Sequence, residues 1–129
     1  MNKGIILSTF NKELIEFLKF ILVVIPSEEI ECLNTFLNML IKCDPAKMIY
    51  LWEYYVAKPY IDVINKGKLE YFENKDYTND VKDLKGDVKY VLDSYNNIKQ
   101  SISVLNKKIK KKAIGYIQRL TKLSVVYYK

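Results

Sequence analysis

Three features of the 129-residue sequence point to an all-α protein: a single-domain bundle of four to five helices with an ordered loop around residues 67–79. Apolar residues recur at steps of three and four through most of the chain, the spacing that lines one face of a helix. Residues that start and stop helices fall between the periodic runs, at Pro26-Ser27, Asp44-Pro45 and Gly67. The composition is that of a folded chain, 50% hydrophobic and 28% charged with only 4 Gly and 3 Pro, which excludes disordered, collagen-like and low-complexity readings. A chain of this length can bury roughly two-thirds of its unfolded surface, enough for one core.

Residues 10–25 read as the first helix. Leu14, Phe17, Leu18, Ile21, Leu22 and Ile25 keep the helical spacing, Ser8 or Thr9 can cap the start, and Pro26 ends it. Ser27 then serves as the next N-cap. Glu28, Glu29 and Glu31 follow in the first turn, where carboxylates complement the positive helix end. The second helix presents Ile30, Leu33, Phe36, Leu37, Leu40 and Ile41 before Cys43. So short a connection makes the pair an antiparallel hairpin.

Asp44-Pro45 repeats the start signal for a third helix over 46–57, carrying Met48, Ile49, Leu51, Trp52, Tyr55 and Val56. Pro59 should kink or restart it. The continuation through Tyr60, Ile61 and Ile64 stops at Gly67, a natural left-handed terminator. Residues 8–66 thus form a hairpin plus a kinked aromatic helix, 67–79 a loop, and 80–129 basic C-terminal helices. Val81, Leu84, Val88, Val91, Tyr95, Ile98, Ile102, Leu105 and Ile109 form a heptad seam, which fails at Lys112 and resumes in a shifted frame at Ala113, Ile114, Ile117, Leu120 and Leu123. One helix with a stutter would be about 68 Å long. Ser103 and Asn106 are suitable caps, so a break between 101 and 106 is favoured. Leu92 and Val104 widen the seam beyond a bare two-stranded coiled coil, which suits packing within the chain better than a dimer.

Charge is polarised. Residues 1–80 hold 9 Lys against 12 acids, whereas 81–129 hold 12 basic residues against 3 acids, within an overall charge of +6. Five lysines in six positions, Lys107, Lys108, Lys110, Lys111 and Lys112, cover most of a helix circumference and leave Leu105, Ile109 and Ala113 as a narrow apolar stripe. With Arg119 they make a candidate surface for an anionic partner. A nucleic-acid backbone, anionic lipid and an acidic protein surface all fit it, as does a plain solvated helix face. Lysine in place of arginine speaks against base-specific readout.

The second candidate surface, for a protein partner, is aromatic: Tyr50, Trp52, Tyr54, Tyr55 and Tyr60. Residues 52 and 55–56 share one helix face while 50 and 54 lie on another. Either both faces are covered in a bundle, or one meets a partner, for which Trp and Tyr are well suited. Mixed neighbouring charges make base stacking the poorer fit.

Catalytic chemistry has little to stand on. There is no histidine, which removes the commonest general base and metal ligand. The serines lack a partner base, no Gly-rich turn cradles a phosphate, and Glu28, Glu29 and Glu31 already serve a helix start. Cys32 and Cys43 are expected as reduced thiols packed like small apolar residues. No cofactor or metal is expected, and the chain reads as non-enzymatic. The longest apolar run, residues 14–25, is interrupted by Glu16 and Lys19 and is too short to span a bilayer; the start of the chain is too weakly apolar for a signal peptide.

The order of certain residues resembles a known group. Residues 10–17 (Phe-Asn-Lys-Glu-Leu-Ile-Glu-Phe), Ile25-Pro26, Asp44-Pro45 through Ile49, Tyr55-Val56, Pro59-Tyr60, Ile64, Tyr71-Phe72, Lys75-Asp76-Tyr77 and Ile114-Gly115-Tyr116-Ile117-Gln118-Arg119-Leu120 look like a pattern found in uncharacterised small helical proteins of nucleocytoplasmic large DNA viruses (giant viruses). In that pattern the last block often begins Ile-Trp, where this chain has Ile114-Gly115. The resemblance implies an all-helical fold and a chain break before the last helix, and carries over no functional residue. The function expected is that of a small interaction or structural protein, viral by this resemblance, acting through protein–protein contacts or self-association in the cytoplasm (host cytoplasm, viral factory or virion). The alternative is a sequence-independent nucleic-acid-binding protein using the lysine-rich helix.

Overall fold

The computed structural model describes residues 2–68 and 105–129, together with 86, 89, 90, 93 and 94. These residues are all-α, with no strand among them. Helix α1 spans Lys3–Val24 and α2 spans Glu28–Cys43. Next come α3 (Lys47–Trp52), a π-helical turn (Glu53–Ala57) and α4 (Lys58–Asn65); the last helix, α5, is Lys107–Tyr127. The expected loop beyond residue 68 and all seven seam positions from 81 to 102 lie outside the described residues.

Helix α1 starts earlier than the periodicity from residue 10 suggests. Asn2, not Ser8 or Thr9, caps it: the Asn2 side-chain oxygen accepts the Ile5 N–H at 2.8 Å. The apolar stripe runs further back to match, through Ile6, Phe10, Leu14 and Leu18, all on the buried face. Pro26 ends the helix as expected, and α2 opens at Glu28 with Glu28, Glu29 and Glu31 in its first turn and Lys42 in its last. A turn at Pro45 and Ala46 precedes α3, so that helix begins at Lys47, one residue later than expected. Asn11, buried in α1, donates from its amide nitrogen to the Pro45 carbonyl at 3.0 Å and ties the hairpin to this turn.

Pro59 explains the π turn. It has no N–H and its ring would crowd the carbonyl four residues back in a regular α-helix. The chain widens before it: the Lys58 N–H reaches the Glu53 carbonyl, five residues back, and α4 continues with Pro59 in its first turn. Helix α4 then closes on Gly67, whose φ of 69° is open to glycine at little cost. The Gly67 N–H bonds the Ile64 carbonyl and the Lys68 N–H bonds the Val63 carbonyl, the paired bonds of a Schellman cap.

Helix α5 organises the fold. It lies along α1 and across α3, the π turn and α4. Asn106, in an extended conformation, accepts the Ile109 N–H at 2.9 Å, so the last helix starts afresh there. Contacts between Glu13 and Arg119, Phe17 and Tyr116, and Lys3 and Tyr127 descend α1 as they ascend α5, so the two helices are antiparallel. The main core joins fully buried Phe10, Ile49 and Leu120 with Leu33 and Leu37 of α2. A second cluster pairs Ile64 with Ile114, and a third pairs Ile21 with Ile30 inside the hairpin. Each such side chain contributes about 1.5–3 kcal/mol on burial.

Candidate functional site

The aromatic stretch divides by face. Trp52 turns inward: its ring meets the Phe10 ring edge-on at 6.1 Å, and its indole N–H donates to the Thr121 hydroxyl at 2.9 Å. Tyr55 packs against the same core and Tyr60 against the Ile64–Ile114 cluster, both half-buried. Trp52, Tyr55 and Tyr60 thus pack, half-buried, on the side of the helix that α5 covers. Tyr50 and Tyr54 remain outward, each 51% exposed, with their rings stacked at 6.2 Å.

These two rings open onto a cleft of about 250 Å³, lined by Tyr50, Glu53, Tyr54, Lys58 and Tyr128. The π turn supplies Glu53 and Tyr54, while the end of α5 brings Tyr128 from across the sequence. Glu53 holds one carboxylate oxygen, Oε2, buried and without a hydrogen-bond partner among the described residues. The Lys58 ammonium lies 5.7 Å from the centre of the Tyr54 ring. Burial pushes the Tyr128 phenol above its ordinary range, and the nearby Tyr127, Glu53 and Tyr50 push it the same way. Tyr128 and Glu53 were not singled out in the sequence: Tyr128 stands at the chain end with no periodic signal, and Glu53 reads as one more charge on a helix.

The lysine run occupies the start of α5. Lys107, Lys108, Lys111 and Lys112 are exposed, and among the described residues none of the four is in an ion pair. Lys112 also covers the Phe20 ring at 4.7 Å. The apolar stripe docks as expected, with Ala113 buried and Ile109 half-buried. Arg119 does not join the lysines. Its guanidinium bonds the Glu13 carboxylate at 3.3 Å and stacks on Tyr116 at 4.6 Å, while its side chain stays about half exposed.

The cysteines are corrected too. Cys32 and Cys43 are free and exposed rather than packed in the core. Among the described residues no group of three or more His, Cys, Asp or Glu is placed to hold a metal ion. No helix among them is long and apolar enough to cross a membrane. Comparison with protein-family models, with curated proteins and with solved structures finds no match for this chain.

Proposed function

We propose that the chain is a small non-enzymatic interaction protein, viral in origin and acting in the cytoplasm of its host, that meets a protein partner through the Tyr50–Tyr54 face. One observation carries this reading: two stacked tyrosines, each 51% exposed, stand beside a cleft instead of packing into the bundle. Tyrosine offers a large rigid apolar area with a polar tip, at low entropic cost, which is why it concentrates at contact surfaces. The test is the Tyr50→Ser/Tyr54→Ser double variant in affinity capture from cells that express the protein. A specific partner should be retained by the wild-type chain and lost by the variant. The variant's stability should change by only about 0.5 kcal/mol per site, as for exposed positions. Identical captures from both chains sink the reading.

A second reading is favoured by the four exposed lysines at the positive end of α5, none of them in an ion pair among the described residues: attachment to a nucleic-acid backbone without sequence preference. Each phosphate neutralised contributes about −0.9 to the slope of log affinity against log salt, so four lysines give a slope no steeper than roughly −4. Retention on duplex DNA at about 50 mM salt, weakening steeply as salt rises, is the expected result. Absence of retention at that salt removes this reading.

A further inference from the structure

We propose that the cleft formed by Tyr50, Tyr54, Tyr128 and Glu53 is a binding site for a methylated ammonium group. This rests on the interaction reading above and names the chemistry the partner would present. Three phenol rings, one carboxylate and the Lys58 side chain line about 250 Å³. Aromatic faces carry negative charge density and attract cations within about 6 Å of the ring centre. The protein's own Lys58 ammonium already lies 5.7 Å from the Tyr54 ring, inside that range, so the ring face is one that takes a cation in this fold. Glu53 Oε2 is buried with no hydrogen-bond partner among the described residues, an arrangement that costs free energy until a positive group comes beside it.

The same observations discriminate among ligands. A divalent metal requires several oxygen ligands, and the lining offers a single carboxylate besides the phenols. A phosphate or carboxylate would meet Lys58 but would also face Glu53 and the negative ring faces. A primary ammonium would bring three N–H donors needing acceptors, for which the lining offers one carboxylate and the phenol oxygens. A quaternary ammonium has no donors to satisfy; its methyl groups lie on the rings while its charge is balanced by Glu53. Lys58 competes for that place and must swing out when the ligand enters.

The experiment follows the tyrosine ring signals of the full chain by two-dimensional NMR during titration with tetramethylammonium chloride, against sodium chloride at matched ionic strength. Saturable shifts at Tyr50, Tyr54 and Tyr128 are expected. Glu53→Gln should weaken binding about tenfold, in keeping with loss of a partly desolvated charge partner. Lys58→Ala should tighten it severalfold, the opposite of what an anion-binding cleft would show. Phosphocholine, a trimethyllysine peptide and its unmethylated counterpart then identify the source of the group; the unmethylated peptide should bind at least about tenfold more weakly than the methylated one. Shifts no larger than the sodium control, in both wild type and Lys58→Ala, overturn the proposal, as does binding unchanged in Glu53→Gln. Partner capture that needs Tyr50 and Tyr54 but survives Glu53→Gln, together with no tetramethylammonium binding, overturns this site while leaving the interaction reading intact.

Discussion

If Trp52 is a packing residue and not a contact residue, its bond to Thr121 should be measurable as stability and invisible to a partner. Thr121 is only 2% exposed, and its hydroxyl is the acceptor for the indole N–H at 2.9 Å. Thr121→Val keeps the side-chain shape and strands that donor against an apolar methyl, which should cost about 1–3 kcal/mol. Trp52→Phe keeps an aromatic ring facing Phe10 but loses the donor and part of the packing, also for about 1–3 kcal/mol. Removing both partners leaves neither group unsatisfied, so the double variant should be about 1 kcal/mol more stable than the summed single losses imply. Urea unfolding followed by far-UV circular dichroism measures all four chains; Trp52 is the only tryptophan, so its fluorescence reports independently on Thr121→Val. With slopes of roughly 1–3 kcal/mol per molar urea, a 1.5 kcal/mol loss lowers the midpoint by about 0.5–1.5 M. Single variants within about 0.5 kcal/mol of wild type, with strict additivity, would refute the assignment of Trp52 to the core.

Gly67→Ala places a Cβ at a φ of 69° and should destabilise by about 1 kcal/mol or more, read as a lower thermal midpoint; an unchanged midpoint contradicts the helix stop assigned there. Both Cys32 and Cys43 should react with a thiol reagent in the folded protein, and a requirement for denaturant would place them back in the core. Tyr128 titrates above its ordinary value near 10 because the folded chain holds its proton more tightly than the unfolded chain does. Its contribution to stability is therefore complete below about pH 10 and is lost as pH rises through the higher folded value. Phenolate absorbance should show Tyr128→Phe lacking a late-titrating component, and a curve that merely scales down uniformly counts against the cleft's geometry.

What the sequence disclosed, and what it withheld, follows from the range of the forces involved. The limits of α2 were readable because Pro26 and the carboxylates after Ser27 act on the backbone within one turn. The start of α1 was not, because Ser8 and Thr9 are as able to cap as Asn2, and only the burial of Ile6 and Phe10 decides between them. Helical spacing separated Tyr50 and Tyr54 from Trp52, yet which face turns outward depends on Thr121, 69 residues away. Arg119 belongs with the lysines by composition and with Glu13 by folding, across 106 residues. Cys32 is different, since its exposure was legible: it lies about 200° around the helix from Ile30, on the face opposite Ile30, Leu33 and Leu37. Its apolar neighbours in sequence drew it into the core reading, but adjacent positions on a helix do not share a face.

Helix α5 carries two opposed surfaces, and its electrostatics explain how one helix supports both. A helix start attracts anions and is destabilised by cations, yet α5 begins with a lysine cluster and has no acid in its first turn. The antiparallel pairing offsets this. Lys112 lies over Phe20 near the C-terminal end of α1, so the cluster stands beside the negative end of that helix. Burial of Ala113, Ile114 and Leu120 then fixes the rest of α5 against the core. At 1.5 Å per residue the 21 residues of the helix separate the lysines from Tyr128 by about 30 Å, several screening lengths at physiological salt. A cation held by Glu53 and the tyrosines is thus little affected by the positive charge at the far end, and an anionic partner on the lysines little affected by Glu53. The lysine cluster and the Tyr50–Tyr54 cleft thus stand at opposite ends of α5, far enough apart for each to be altered by substitution without changing the charge around the other.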